Sequence, residues 1–292
     1  MAEGEATVVV ADTAEGPIEY ADLGAGSPVL FVHGSPGGWD EGELMTRFLV
    51  EAGFRVVSPS RPGYLGTPLT DHNGTPEGQA ALEGALMDSL GIERFAVTCW
   101  SGGGPSSYRL AASRPEQVTA LVAIAAVSGS YAFASSIEGH ILERRLGRWM
   151  IHEMVKHSAK SLIKSTLAEE GTFDKHQLKA LVEEVWADDG KRAFVLALAE
   201  IVAGRRVGLE NDKAQFPKID DLDLASVAAP VLLVHGTGDA DVPFEHSDRA
   251  AALLPHVARH TIEGGSHISA WAGPGEVEAQ AAIVSFLREQ AV

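Results

Sequence analysis

Three residues of the 292-residue chain could together perform nucleophilic catalysis: Ser101, Asp239 and His267. A serine hydroxyl is a poor nucleophile near neutral pH, so an imidazole must take its proton as it attacks. A carboxylate must then hold that imidazole in one tautomer and stabilise it once charged. Ser101 stands at the end of an apolar, β-prone run beginning at Phe95, and Gly102-Gly103-Gly104 and a helical stretch from Pro105 to Ser113 follow it. So sharp a strand-to-helix turn strains the serine backbone and requires small residues two positions away on either side, a need that Cys99 and Gly103 meet. The stretch has the form of a nucleophile elbow, with Cys99 where the usual pattern has glycine.

Rival chemistries find less support. No Lys-Ser/Thr follows the three glycines, which excludes a phosphate-cradling P-loop. Gly24-x-Gly26 precedes a strand, the wrong side for a dinucleotide fingerprint. His33 and His235 end strands and precede glycine, and both read as structural. His72, His140, His152, His157, His176, His246, His256 and His260 show no ligand spacing with Cys, carboxylates or one another, so neither a metal nor another cofactor is expected. Cys99 reads as a small buried spacer.

The elements that must position the three residues follow from the apolar patterning. Thr7–Val10 and Ile18–Leu23 read as short strands joined by a turn. Val29-Leu30-Phe31-Val32 is a continuous apolar run, the pattern of a strand covered on both faces. The Gly-rich loop His33–Gly38 and a helix over Trp39–Ala52 come next. Arg55–Ser58 forms a strand, and a helix runs from an N-cap at Thr75 with Pro76 in its first turn to a stop at Gly91. Ala120–Val127 is another buried strand. Strand and helix thus alternate, which predicts a mostly parallel sheet with helices on both faces. Between Ser130 and Phe216 the alternation stops, and helical stretches replace it: Ile137–Lys156, Ala159–Glu169, Asp174–Trp186 and Lys191–Val207. Leu178, Leu181, Val182 and Val185 form one amphipathic stripe, and Trp149, Met150, Met154, Trp186 and Phe194 read as packing residues. Strands resume at Val231–Val234 and His260–Glu263, with helices over Phe244–Leu254 and Gly275–Gln290. Ser101, Asp239 and His267 all fall just past strand ends, where open α/β sheets bind ligands.

Charge supports two units. The net charge is −17, which argues against nucleic acid or an anionic membrane surface as a partner. The segment from Ser130 to Phe216 holds 13 basic and 13 acidic residues, leaving 10 and 27 in the remainder. A neutral block inside an acidic chain marks a separate unit. Its Arg144, Arg145, Arg148, Lys156, Lys160 and Lys164 read as a solvated helical face, or, in a sharper reading, as a lid attracting an anionic substrate. A single cysteine excludes an internal disulfide and fits a reducing compartment. With no signal peptide and no apolar stretch of about 18–20 residues, a cytoplasmic protein acting on a small molecule is expected.

The chain resembles the α/β-hydrolase superfamily through five pieces in the family's order: His33-Gly34-Ser35-Pro36-Gly37, Arg61-Pro62-Gly63-Tyr64, the Ser101 elbow, Gly236-x-x-Asp239-x-x-Val242-Pro243, and Gly265-Ser266-His267. The order Ser, Asp, His is also that of the family's triad. The resemblance implies a core of residues 1–129 and 217–292 with a helical lid inserted over 130–216. It puts the acid at Asp239, with Asp241 the rival; Val127–Ala134, where some relatives carry it, has no Asp or Glu. It implies an oxyanion hole from the N–H groups of Gly102 and Ser35, since Pro36 has none to give, and it is compatible with a cis Ser35–Pro36 peptide.

The expected reaction is hydrolysis of a small carboxylic ester through an acyl-enzyme on Ser101. Ser101 argues against epoxide hydrolases and haloalkane dehalogenases, which have aspartate at the elbow. Proline iminopeptidases share the first loop's pattern but have Gly where this chain has Ser35, and Trp after the serine where Trp100 here precedes it. They and the carbon–carbon hydrolases of ring-cleavage products stand as alternatives, and a small-molecule receptor that keeps the triad stands outside the enzymes.

Overall fold

The computed structural model describes residues 7–133, 145–201 and 205–290. His140 and Arg144 lie outside them, as do the side chains of Arg145, Arg148, Trp149 and Met150. Eight strands form one sheet in the order β1-β2-β4-β3-β5-β6-β7-β8: β1 Thr7–Thr13, β2 Gly16–Gly24, β3 Ser27–Val32, β4 Phe54–Pro59, β5 Phe95–Trp100, β6 Val118–Ile124, β7 Val231–Gly236 and β8 Val257–Ile262. β2 runs antiparallel to β1 and β4; all other pairs are parallel.

The unbroken apolar runs became the central strands because both faces are covered. On β5, Val97 and Cys99 pack to one side with Leu82 and Leu86 of helix α3 (Pro76–Ser89) and Tyr108 and Leu110 of α4 (Gly104–Ser113). Ala96 and Trp100 pack to the other side with Met45 of α1 (Trp39–Met45), Leu49 of α2 (Arg47–Glu51) and Ile283 of the C-terminal helix Glu276–Glu289. The single helix expected over Trp39–Ala52 is two, broken at Thr46. There the hydroxyl donates to the Gly42 carbonyl at 2.7 Å, the back-bonding that bends helices at Ser and Thr. Thr75 caps α3 as expected, accepting from the Gly78 N–H.

Between β6 and β7 run five described helices: α5 (Arg145–His157), α6 (Ala159–Glu170), α7 (Lys175–Ala187), α8 (Asp189–Ile201) and α9 (Arg206–Gln215). Leu181, Val182 and Val185 of the expected stripe are buried and continuous with one face of the sheet core, and Leu178 packs partly against them. The sequence pattern did not separate α9 from α8. Lys156 is exposed and Lys160 half-buried, paired with Glu153 and Glu183, and Lys164 is exposed, as befits a solvated face. Among the described residues no helix is long and apolar enough to cross a membrane, and no group of three or more His, Cys, Asp or Glu is placed to hold a metal.

Candidate active site

Ser101 sits at the C-terminal end of β5 with φ = +51°, a left-handed conformation costly for a residue bearing a Cβ. The turn closes so tightly that a Cβ on Gly103 would run into the carbonyl oxygen of Val32, and one on Gly102 into Ser35 Oγ. The Ser101 carbonyl accepts the Val127 N–H at 3.0 Å, tying the elbow to the chain after β6. Cys99, between strand neighbours, is fully buried, and burial pushes its thiol up to about 12. It is a spacer and no nucleophile at ordinary pH.

Asp239 and His267, 28 residues apart and behind different strands, meet. His267 Nδ1 lies 2.7 Å from Asp239 Oδ2. The other carboxylate oxygen, Oδ1, accepts the backbone N–H groups of Asp241 and Val242, each at 2.9 Å. Thus the loop itself fixes the carboxylate plane. His235, which the sequence suggested was structural, has its Nε2 3.0 Å from the same Oδ2 and its Nδ1 2.8 Å from Ser247 Oγ. Burial pushes the Asp239 carboxyl up, but the charge on His267 and the bonds from His235 and His267 outweigh it and hold the group down at about 2.

His267 Nε2, the nitrogen that would face a nucleophile, is buried and has no hydrogen-bond partner. Asp241 Oδ2 lies 3.5 Å from it, while Asp241 Oδ1 accepts the Tyr131 hydroxyl at 3.0 Å. Asp241 therefore stands on the opposite edge of the imidazole from Asp239. Burial pulls His267 down, but Asp239, then Asp241 and Glu170, raise it to about 10. Trp100 packs its ring 4.8 Å from the imidazole and donates its indole N–H to the His267 carbonyl at 3.2 Å.

The helical insertion reaches the site at the end of α6. The Glu170 carbonyl accepts the His267 N–H at 2.8 Å, and the Thr172 N–H donates to the Gly238 carbonyl at 2.7 Å. Two backbone bonds thus pin the histidine loop and the acid loop to one segment between β6 and β7.

The third part is the loop after β3. Ser35 lies against Gly102, and the Ser35–Pro36 peptide is cis. Beneath it, Glu41 Oε2 accepts the Gly34 N–H at 2.9 Å. Fully buried Arg61 binds the loop from the side: its backbone N–H donates to His33 Nε2 at 2.8 Å, and its guanidinium to the carbonyls of His33 and Gly34 at 3.1 and 2.6 Å. The sequence offered Arg61 only as part of a motif. Glu170 and Asp212, two acids between β6 and β7 that touch these loops, carried no signal, because an isolated acid on a helix ordinarily marks the solvated side.

With loops after β3, β5, β7 and β8 converging, the family comparison decides the larger question. The profile of the Alpha/beta hydrolase family matches residues 29–280. The chain belongs to this family. It is 42% identical to an alpha/beta hydrolase fold protein from Nakamurella multipartita, whose structure superposes with a TM-score of 0.92 over 97% of this chain and 99% of that one. An uncharacterized hydrolase of Bacillus subtilis, YcgS, is 25% identical over 93% of this chain and 95% of its own length. A 2-hydroxy-6-oxononadienedioate/2-hydroxy-6-oxononatrienedioate hydrolase of Pseudomonas putida is 28% identical over 87% and 86%. This α/β hydrolase is therefore a hydrolytic enzyme.

Proposed function

We propose that this α/β hydrolase cleaves small carboxylic esters by acyl transfer. Ser101 is the nucleophile, His267 the base and then the acid, and Asp239 the orienting carboxylate. The observation that carries this reading is the Asp239–His267 contact, its carboxylate pinned by two backbone N–H groups, in a chain that holds Ser101 at positive φ at the end of β5. Ser101 Oγ attacks the ester carbonyl and passes its proton to His267 Nε2. The N–H groups of Gly102 and Ser35 stabilise the oxyanion. Collapse expels the alcohol with the proton from His267, and water, deprotonated by the same imidazole, releases the acid. Residues 130–216 act as a lid on the core of 1–129 and 217–292, and no metal or other cofactor takes part.

A carbon–carbon hydrolase is the second reading, favoured by the name of the Pseudomonas relative. That name gives the relative a dioate, however, and both edges of the His267 imidazole here face a carboxylate, Asp239 at 2.7 Å and Asp241 at 3.5 Å. Those carboxylates disfavour a dianion beside the imidazole, so the ester reading stands first. p-Nitrophenyl esters of rising chain length, assayed beside amino-acid p-nitroanilides and a vinylogous 1,5-diketone acid, test it. Saturable turnover of short esters is expected. Turnover of the anilides or the diketone acid alone overturns the reading.

The proton balance of the site gives a further expectation. A general base must be neutral, and the imidazole here is raised by its carboxylates, so kcat/KM rises with pH from neutral into the alkaline range. Asp241→Asn removes one of the raising charges, and its pH–rate limb should lie at lower pH than that of the wild type. A limb that does not move, or moves upward, contradicts Asp241's influence on the base.

A further inference from the structure

Helix α9 of the insertion grips the oxyanion loop with two buried charged residues. Arg205 and Asp212 are seven residues apart, two helical turns, and so share a face. Arg205, at the helix N-terminus, donates to the Gly37 carbonyl at 2.9 Å and pairs with Asp40. Asp212 is 1% exposed. Its Oδ2 accepts the Ser35 hydroxyl at 2.6 Å, the Tyr64 hydroxyl at 2.6 Å and an Arg61 N–H at 2.8 Å, while Oδ1 accepts a second Arg61 N–H at 3.1 Å. The helix is seated for this: the Gly208 N–H donates to the Gly63 carbonyl at 3.0 Å, and a Cβ on Gly208 would strike the Tyr64 ring.

A buried carboxylate needs its charge balanced and its lone pairs filled. Arg61 balances Asp212, yet Arg61 already holds the loop by its own bonds to the His33 and Gly34 carbonyls. What Asp212 adds to the loop is the Ser35 hydroxyl. That oxygen also accepts an Arg61 N–H at 2.7 Å, so its rotor is fixed with the proton aimed at Asp212. It lies directly against Gly102. Without its acceptor on α9 the hydroxyl is free to turn toward the Gly102 N–H and take the bond meant for the oxyanion.

We infer that Asp212 is a positioning residue through which the helical insertion sets the oxyanion hole, holding the Ser35 hydroxyl off the Gly102 N–H while the Ser35 N–H faces the reacting carbonyl. This rests on the serine-hydrolase reading proposed above. It makes the insertion part of the catalytic geometry and not only a cover over it. Misplacing a donor costs less than deleting one, which lowers kcat about 10²–10³-fold.

The test is ester hydrolysis by wild type, Asp212→Ala, Ser35→Ala and the double variant at pH 9, with kcat expressed per serine titratable by a fluorophosphonate. Asp212→Ala should lower kcat about 30-fold with KM changed less than about threefold, because the loss falls on the transition state. In the Ser35→Ala background, which keeps the N–H but has no hydroxyl to hold, the same change should cost less than about threefold. A purely structural Asp212 would lower the melting temperature and the titratable fraction but leave kcat per titrated site unchanged, and that outcome overturns the inference. So do fully additive losses. If Asp212→Ala does not fold, Ser35→Ala with Asp212→Asn, compared against each alone, carries the same coupling, and its absence is equally decisive. A wild type that hydrolyses no ester and takes no label contradicts the nucleophile reading instead, and the inference falls with it.

Discussion

Asp239→Asn is expected to lower kcat for ester hydrolysis by about 10⁴-fold, on the order of 5.5 kcal/mol in the transition state, while Asp241→Asn at pH 9 changes it less than about tenfold. The two acids are two residues apart and both approach His267, so sequence position alone does not separate them. Geometry does. Asp239 is on the Nδ1 edge at 2.7 Å, with its second oxygen satisfied by two backbone N–H groups. Asp241 is on the Nε2 edge at 3.5 Å, with its side chain 43% exposed and an oxygen committed to Tyr131. An amide at 239 would turn an N–H toward Nδ1 or toward the Asp241 and Val242 donors, so the imidazole would lose the tautomer that leaves Nε2 free to accept a proton. An amide at 241 disturbs neither. Near-full activity in Asp239→Asn, with loss in Asp241→Asn, would reverse the assignment.

Ser101→Ala is expected to have the larger effect, a fall in kcat on the order of 10⁶-fold, because base and orienting acid do nothing without the atom they activate. The melting temperature should stay close to that of the wild type, since φ = +51° costs alanine about what it costs serine. A residual ester activity above about one per cent in the purified variant would mean that another group attacks.

Much of this site was legible in the sequence because its parts are local. A buried parallel strand must be apolar throughout, so Val29–Val32, Phe95–Cys99 and Val231–Val234 announced β3, β5 and β7, and each reactive residue sits within a few positions of a strand end. The elbow was readable because its sterics demand small residues at fixed offsets. The parts that were not legible are those made by distant chain. Asp212 meets Ser35 across 177 residues and Arg61 across 151, and nothing in the pattern around Asp212 distinguishes it from a solvated acid. His235 precedes a glycine at the end of a strand and looked like framework, yet it shares the Asp239 oxygen with His267. Helix boundaries failed for smaller reasons: a threonine back-bond at Thr46 splits one helix, and the four-residue helix Ser269–Ala272 after His267 is too short to leave a period.

The serine-hydrolase reading makes the helical segment between β6 and β7 a participant. It contributes the Glu170 carbonyl, from its middle, to the histidine loop and Asp212, from its C-terminal helix, to the loop after β3. Neither contact involves the basic residues on its outer face. Substrate choice is therefore expected to respond to changes around Tyr131, Phe133 and Phe216, whose rings pack together beside Gly102, and not to neutralisation of Lys156 or Lys160.

The most direct measurement is covalent: incubate the purified enzyme at pH 9 with a fluorophosphonate, digest it and locate the adduct by mass spectrometry, with Ser101→Ala in parallel. The account predicts one adduct per chain, on the peptide bearing Ser101, and none in the variant. An unlabelled Ser101 in a folded protein that still binds a small-molecule ligand, or equal labelling of the variant, would contradict it.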